Sequence, residues 1–225
     1  MWEAVRVTLA LAAVTTPLLL VLATPLAWWL SQGKGAVRDC VGALTALPIV
    51  LPPTVLGFYL LIALGPHSPL MFILRPFGIE TLAFSFTGLV IGSLFYSLPF
   101  AVQPIRNAFE AMGKQPMEIA GLLGASRLQT FFRVILPLSQ RGFITAAILV
   151  FAHTIGEFGV VLMIGGSIPG KTEVLSIRIY QAVEQLNWNE AHTLSLGLMA
   201  FAFLILLSLL MIDRRTRTTA QTAES

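Results

Sequence analysis

Residues 81–105 read TLAFSFTGLVIGSLFYSLPFAVQPI, 25 positions without a charged side chain, and Arg106 follows at once. About 20 predominantly apolar residues carry a helix across a bilayer core. Three further stretches are equally free of charge, Val7 to Leu30, Cys40 to Leu74 and Ala191 to Ile212, and another, Gly142 to Gly170, is interrupted only by Glu157. A backbone in hydrocarbon must satisfy its own polar groups, so these segments are helices or strands of a closed barrel. Runs this long without alternation exclude the barrel. The expectation is an all-α integral membrane protein in which residues 1–225 form one domain. Its five spanning helices are placed near 7–30, 41–64, 84–105, 142–164 and 191–212, with a sixth left open.

Composition agrees, since 56% of the residues are hydrophobic and 11% charged, against about 45–50% and about 25% in soluble domains. A cleaved leader fits the first segment poorly, because its apolar core is long and Trp28-Trp29 stands where a cleavage site needs small residues. Lys34, Arg38, Arg106, Lys114, Arg127, Arg133, Arg141, Arg214, Arg215 and Arg217 fall in loops on one side of this topology. Only Arg6, Arg75, Lys171 and Arg178 fall on the other. By the positive-inside rule the N-terminus lies outside and the C-terminus in the cytoplasm, which five crossings satisfy. The net charge of +3 thus follows from topology, and no interleaved basic and aromatic pattern points to nucleic acid. The single Cys40 permits neither an internal disulfide nor a metal set. The polar tail after Asp213 is expected to be disordered.

Proline is dense within the apolar runs. Pro17 and Pro25 lie in the first, Pro48, Pro52 and Pro53 in the second, and Pro99 and Pro104 in the third. Each removes a backbone donor, which gives ordinary kinks or, in the stretch LPIVLPPTVLG around Pro52 and Pro53, a broken helix beside a translocation path. Glu157 is the one carboxylate within a span and His153 lies one turn earlier. With Gly156 and Gly159 they mark a second candidate, either for gating or for holding helices together. Outside, TEVLSIRIYQAVEQL reads as a short external helix, with a re-entrant segment as the alternative.

The segment 106–141, RNAFEAMGKQPMEIAGLLGASRLQTFFRVILPLSQR, is not a passive connector. Pro116 suits a first helical position and Glu118 a first turn. Gly124 is placed to end that helix in the left-handed conformation. Ser126 with Gln129 makes a capping box for a second helix running to Pro137. The resulting hairpin either docks on a soluble partner or packs under the protein's own helices.

Glu118-Ile119-Ala120, Gly124, Val134 and Leu136-Pro137 resemble the EAA motif in permease subunits of binding-protein-dependent ATP-driven importers. There the motif reads Glu-Ala-Ala, three residues, Gly, nine residues, Ile, one residue, Leu-Pro. Ile119 and Val134 are apolar departures from it. LPIVLPPTVLGFYLL, FGIETLAFSFTGLVIG, YSLPFAVQPIRNAFE and HTIGEFGVVLMIGGSIPGKT are similar to stretches of molybdate permeases, and the last also to sulfate and tungstate permeases. His153 stands where such permeases commonly carry Arg, which puts any charge pairing there in question.

That resemblance implies the type I importer permease fold in the cell inner membrane and a homodimer with two ATP-binding cassette subunits. It further implies an external oxyanion-binding protein and molybdate as cargo, with tungstate, sulfate and thiosulfate as alternatives. The transport ATPase activity, with its ATP and Mg, would reside in the separate subunit, and this chain is expected to hold no cofactor and no Gly-x-x-x-x-Gly-Lys-Ser/Thr sequence. The same resemblance assigns Glu118, Ile119, Ala120, Gly124, Ala125 and Ser126 to ATPase docking. A doubly charged anion is best carried along a hydrated path without fixed cations. Ser85, Thr87, Ser93 and Ser97 either line that path or join helices. Two rival readings are an intramembrane enzyme built on His153 and Glu157, which lacks a third zinc ligand, and a secondary transporter, which predicts inverted repeats that are not visible.

Overall fold

The computed structural model describes residues 2–221, and among them there are helices and no strand. The elements are α1 (Trp2–Ser31), α2 (Ala36–Val50), α3 (Pro53–Leu64), α4 (Pro69–Leu74) with a following 3-10 turn, and α5 (Phe86–Met112). After these come α6 (Gln115–Leu122), α7 (Arg127–Thr130), a π-helical turn (Phe131–Ile135), α8 (Leu136–Gly156), α9 (Gly159–Gly165), α10 (Leu175–Glu184) and α11 (Trp188–Gln221). Five helical runs among the described residues have the length and apolarity to cross a membrane: Trp2–Ser31, Pro53–Phe77, Phe86–Met112, Arg127–Gly156 and Trp188–Ser208.

The proline-rich segments behave differently according to spacing. α1 runs through Pro17 and Pro25, α2 through Pro48, and α5 through Pro99 and Pro104. The one proline break lies between α2 and α3, where Leu51 (φ −70, ψ 138) and Pro52 (φ −54, ψ 133) are both extended. A residue before proline is pushed out of the helical region, and Pro52-Pro53 imposes this on two consecutive positions. The segment expected as one span near 41–64 is therefore divided. At Pro137 the reverse holds: the expected stop is absent, and the chain passes through the π turn, with Leu136 N donating to Phe131 O, straight into α8. The wider turn takes up the ring that would otherwise strike the preceding turn.

A second break has no proline. Between α8 and α9, Glu157 (φ −66, ψ 132) and Phe158 (φ −128, ψ −63) leave helical geometry. α9 then packs on α3 so closely that a Cβ on Gly159 would lie 2.7 Å from Pro53 Cβ, and one on Gly57 2.8 Å from Met163 Cβ. The two breaks thus rest on each other.

In lipid, apolar faces gain little by meeting, so helices associate through close packing of small residues. α1, α5 and α8 do so around Ala23, Ala27, Ala101 and Ala146, with Leu19, Leu30, Val102, Ile105, Phe109 and Val150 filling between them. α5 has 56% of its most apolar window buried and α11 only 11%, which makes α5 the central post and α11 peripheral. On the loop side opposite α6, Arg178 of α10 meets Glu173 at 3.6 Å and Glu190 at 2.8 Å, tying α10 to the start of α11. α11 continues to Gln221, beyond the point where a disordered tail is expected. Asp213 to Gln221 contains neither proline nor glycine to stop it; residues 222–225 lie outside the described residues.

A Cβ at Gly142 would lie 2.5 Å from Ala108 Cβ and 2.7 Å from Pro104 O, whereas one at Gly197 meets nothing within 4 Å. Gly142→Ala is expected to lower the melting temperature in detergent, with a cost of about 1–3 kcal/mol from overpacking. Gly197→Ala is expected to leave it unchanged or raise it slightly.

Candidate functional site

Two places collect the residues singled out in the sequence. The first is the hairpin between α5 and α8. Pro116 lies at the start of α6 and Glu118 in its first turn. At the C-terminal end Gly124 takes φ +79, with Gly124 N donating to Gly121 O at 3.0 Å and Ala125 N to Ala120 O at 3.0 Å. This pair of bonds satisfies the last carbonyls and requires a left-handed residue at its centre. Ser126 and Gln129 form the reciprocal cap of α7, Ser126 N donating to Gln129 Oε1 at 2.9 Å and Gln129 N to Ser126 Oγ at 3.3 Å.

The two readings of the apolar surface of this hairpin divide between its faces. Met117 and Phe131 pack against the α1, α5 and α8 core, and Ala120 is buried. Leu122 and Leu123 are 88% and 83% exposed, and Ile119, Leu128 and Phe132 are exposed with them. Glu118 and Ser126 are exposed and Ala125 half-buried. The inner face fixes the hairpin to the span bundle and the outer face presents unpartnered leucines.

The second place is a polar junction at the break between α8 and α9. Ser93 donates to Glu157 Oε2 at 2.6 Å, and Ser97 Oγ lies 2.9 Å from His153 Nδ1 and 3.4 Å from Thr154 Oγ1. Ser176 of α10 donates to the backbone carbonyl of Glu157. His153 stacks on Phe100 at 4.1 Å and tilts against Tyr96 at 4.8 Å. Glu157 is only 3% exposed, and its Oε1 makes no hydrogen bond among the described residues. Pro53, His153, Gly156, Glu157 and Gly159 share one cavity of about 440 Å³ with Thr54 and Tyr96; Pro52 does not line it. The four hydroxyls considered as path-lining do not act together. Ser93 and Ser97 are buried against α8, Ser85 caps α5 by accepting from Gly88 N at 3.0 Å, and Thr87 is exposed.

Tyr96 and Thr54 escaped sequence reading, although a signal for the α5–α8 contact was present. Ser93 and Ser97 are four residues apart in an apolar helix, as are His153 and Glu157, and antiparallel packing pairs them rung by rung. No group of three or more His, Cys, Asp or Glu side chains that could hold a metal exists among the described residues.

One expectation requires correction. Gly165 to Thr172, GGSIPGKT, has the Gly-x4-Gly-Lys-Thr spacing of a phosphate-binding loop. The structure shows why the spacing is not a nucleotide cradle. The stretch follows a helix instead of a strand, and the amides of Lys171, Thr172 and Glu173 all donate to Ile168 O. Thr172 Oγ1 donates to Gly165 O at 2.7 Å and accepts from Ile168 N. The amides and the hydroxyl that would hold a phosphate and its cation are consumed within the turn.

Residues 12–217 match the family described as binding-protein-dependent transport system inner membrane component. The chain is 55% identical over 206 residues to the molybdenum transport system permease protein ModB of Azotobacter vinelandii, covering 92% of this chain and 91% of that one. It is 33% identical to the protein of the same name from Escherichia coli K12, covering 81% and 80%. To the sulfate transport system permease protein CysT of Salmonella typhimurium it is 31% identical, covering 94% and 76%. Among solved structures, a bacterial alginate ABC transporter in complex with its periplasmic protein superposes with a TM-score of 0.74 at 18% identity, covering 95% and 78%. The MetNI methionine ABC transporter superposes at 0.67 and 18%, covering 96% and 95%. These two likenesses bear on the fold alone.

A Cβ at Gly124 meets no atom within 4 Å, so Gly124→Ala pays only for its left-handed backbone, about 1–2 kcal/mol. Ser126→Ala is expected to remove about 1 kcal/mol of cap. In either variant the amides of Ala125 and Gln129 are expected to exchange hydrogen several-fold faster, with the amides of α5 unchanged.

Proposed function

Since this chain belongs to the family of binding-protein-dependent transport system inner membrane components, we propose that it is the membrane-spanning permease subunit of an ATP-driven molybdate importer. The observation that carries the choice of cargo is the 55% identity, across nine-tenths of both chains, to a molybdenum permease. Sulfate permeases lie at 30–34%. Tungstate shares the shape and charge of molybdate and is expected to compete with it.

In this reading two copies of the chain form the pathway within the inner membrane. The N-terminus lies outside and the C-terminus in the cytoplasm, as the Lys and Arg distribution favours. Two ATP-binding cassette subunits, which hold ATP and Mg, dock below, and an external oxyanion-binding protein delivers the cargo. The catalytic work lies in those ATPases. The exposed face of α6, with Ile119, Leu122 and Leu123, seats in a groove of the ATPase, and Glu118 orients it toward a basic group there. The Gly124 turn and the Ser126 cap make the hairpin stiff enough to transmit movement, because its inner face is packed on α1, α5 and α8. Closure of the ATPases on ATP pushes this unit, and α5 carries the displacement to the junction of Ser93 with Glu157. Glu157, bonded from both α5 and α10, holds the broken backbone in register.

The decisive measurement is uptake of labelled molybdate into vesicles containing this chain, its ATPase and its binding protein. ATP-dependent uptake that survives excess sulfate is expected. Loss to sulfate would move the cargo to sulfate, and uptake without ATP would overturn the permease reading. Leu122→Asp is expected to leave folding intact, because the side chain is already 88% exposed. It is expected to weaken ATPase co-purification by about thirtyfold or more, the loss of one interface anchor. Glu157→Gln is expected to reduce transport at unchanged protein level, and a normal rate would remove the carboxylate from the mechanism.

A further inference from the structure

Polar side chains within the spans divide into those that bond inside the chain and those that do not; among the described residues Thr15, Tyr59, Gln103 and Thr145 make no side-chain hydrogen bond, and they share no cavity. Thr8, Thr16, Thr24 and Thr45 donate to carbonyls one turn earlier in their own helices. Ser93 and Ser97 are spent on Glu157 and His153. Thr54 and Tyr96 make no side-chain hydrogen bond among the described residues, and His153 bonds through Nδ1 only. All three line the same cavity of about 440 Å³. A polar group facing hydrocarbon without a partner costs several kcal/mol, so this cavity is wet or holds a polar ligand.

Its chemistry selects among ligands. No Lys or Arg lines it. When Ser97 donates to Nδ1, the ring proton of His153 sits on Nε2. The imidazole, stacked on Phe100 and tilted against Tyr96, is then a donor of fixed direction. Two hydroxyls and one N–H are neutral donors suited to an oxyanion, and without a fixed cation they bind it only briefly, as a conducting path requires. The carboxyl of Glu157, in the wall, is 3% exposed, with Oε2 held on Ser93 and Oε1 unbonded among the described residues, so little of it faces the open space. The volume admits a tetrahedral oxyanion with part of its water shell, at about 30 Å³ per water. The cavity also sits where Pro53 meets Gly159, between the two chain breaks, where a shift of α3 and α9 would change its width.

We propose that this cavity, with Thr54, Tyr96 and His153 as neutral donors, is an intramembrane station for the transported oxyanion. The proposal rests on the importer reading above and adds the residues that touch the cargo.

The test uses the full complex, with ATPase and binding protein, in vesicles. Tyr96→Phe and His153→Phe keep the rings and remove donors. Each is expected to lower molybdate moved per ATP hydrolysed by about tenfold or more, the value of one hydrogen bond to a charged group. In a Cys40→Ser background, the thiol introduced by Thr54→Cys is expected to react with a membrane-impermeant anionic reagent, and molybdate with ATP is expected to slow that reaction several-fold. Should either aromatic variant fail to assemble, this labelling decides, since Thr54 is exposed. Transport per ATP within twofold of wild type in both variants overturns the station, as does labelling at one rate with and without molybdate. Wild-type vesicles without ATP-dependent uptake would instead count against the importer reading itself, and protection of the thiol by molybdate would still stand for the site.

Discussion

A backbone in hydrocarbon has no water to turn to, so every departure from helical hydrogen bonding within a span must be met by protein groups or by a wet cavity. Two departures border candidate spans of this chain, at Leu51-Pro52 and at Glu157-Phe158, and they lie against each other. Much of the surrounding architecture answers that constraint. Ser176 covers the carbonyl of Glu157, Ser93 takes its carboxyl, and Gly57 and Gly159 are small so that α3 and α9 can approach closely. The cavity beside them is where the remaining polar groups collect.

The opposite end of the molecule is built on tight packing. α5 is continuous from Phe86 to Met112, so Ser93 and Ser97 near one end share a rigid post with Phe109 near the other, where the inner face of the hairpin is seated. Trp28 meets Phe109 edge-on at 5.0 Å and Phe109 meets Phe143 at 5.9 Å, linking α1, α5 and α8 beneath α6. A displacement of α6 therefore reaches the broken segments through one helix instead of a chain of loops. That economy suits the mechanical role proposed for this chain.

Legibility varied with the range of the interactions involved. The turn at Gly124 and the cap at Ser126 depend on neighbours within five residues, and both were readable as spacing. Pro137 was misread because its stopping rule assumes an α turn before it, and the chain instead widens into a π turn. Gly165 to Thr172 carries a phosphate-loop spacing without the strand and free amides that give such a loop its chemistry. The pairing of Ser93 and Ser97 with Glu157 and His153 was latent in two matching four-residue intervals. Nothing local states that these two helices are neighbours.

By itself the amino-acid sequence determined that this is a multi-span helical membrane protein, that its basic loops cluster on one side, and that a capped hairpin follows the third apolar run. Those features follow from solvent preference and short-range hydrogen bonding, which adjacent residues settle. Tertiary structure alone decided which face of the hairpin is free, that Ser93 and Ser97 are spent on α8, and that Thr54 and Tyr96 open onto the cavity at the two breaks. The reason is that a hydroxyl on an apolar helix is satisfied or left over according to which helix packs beside it, and in lipid that choice is made by the fit of small residues far apart in the chain.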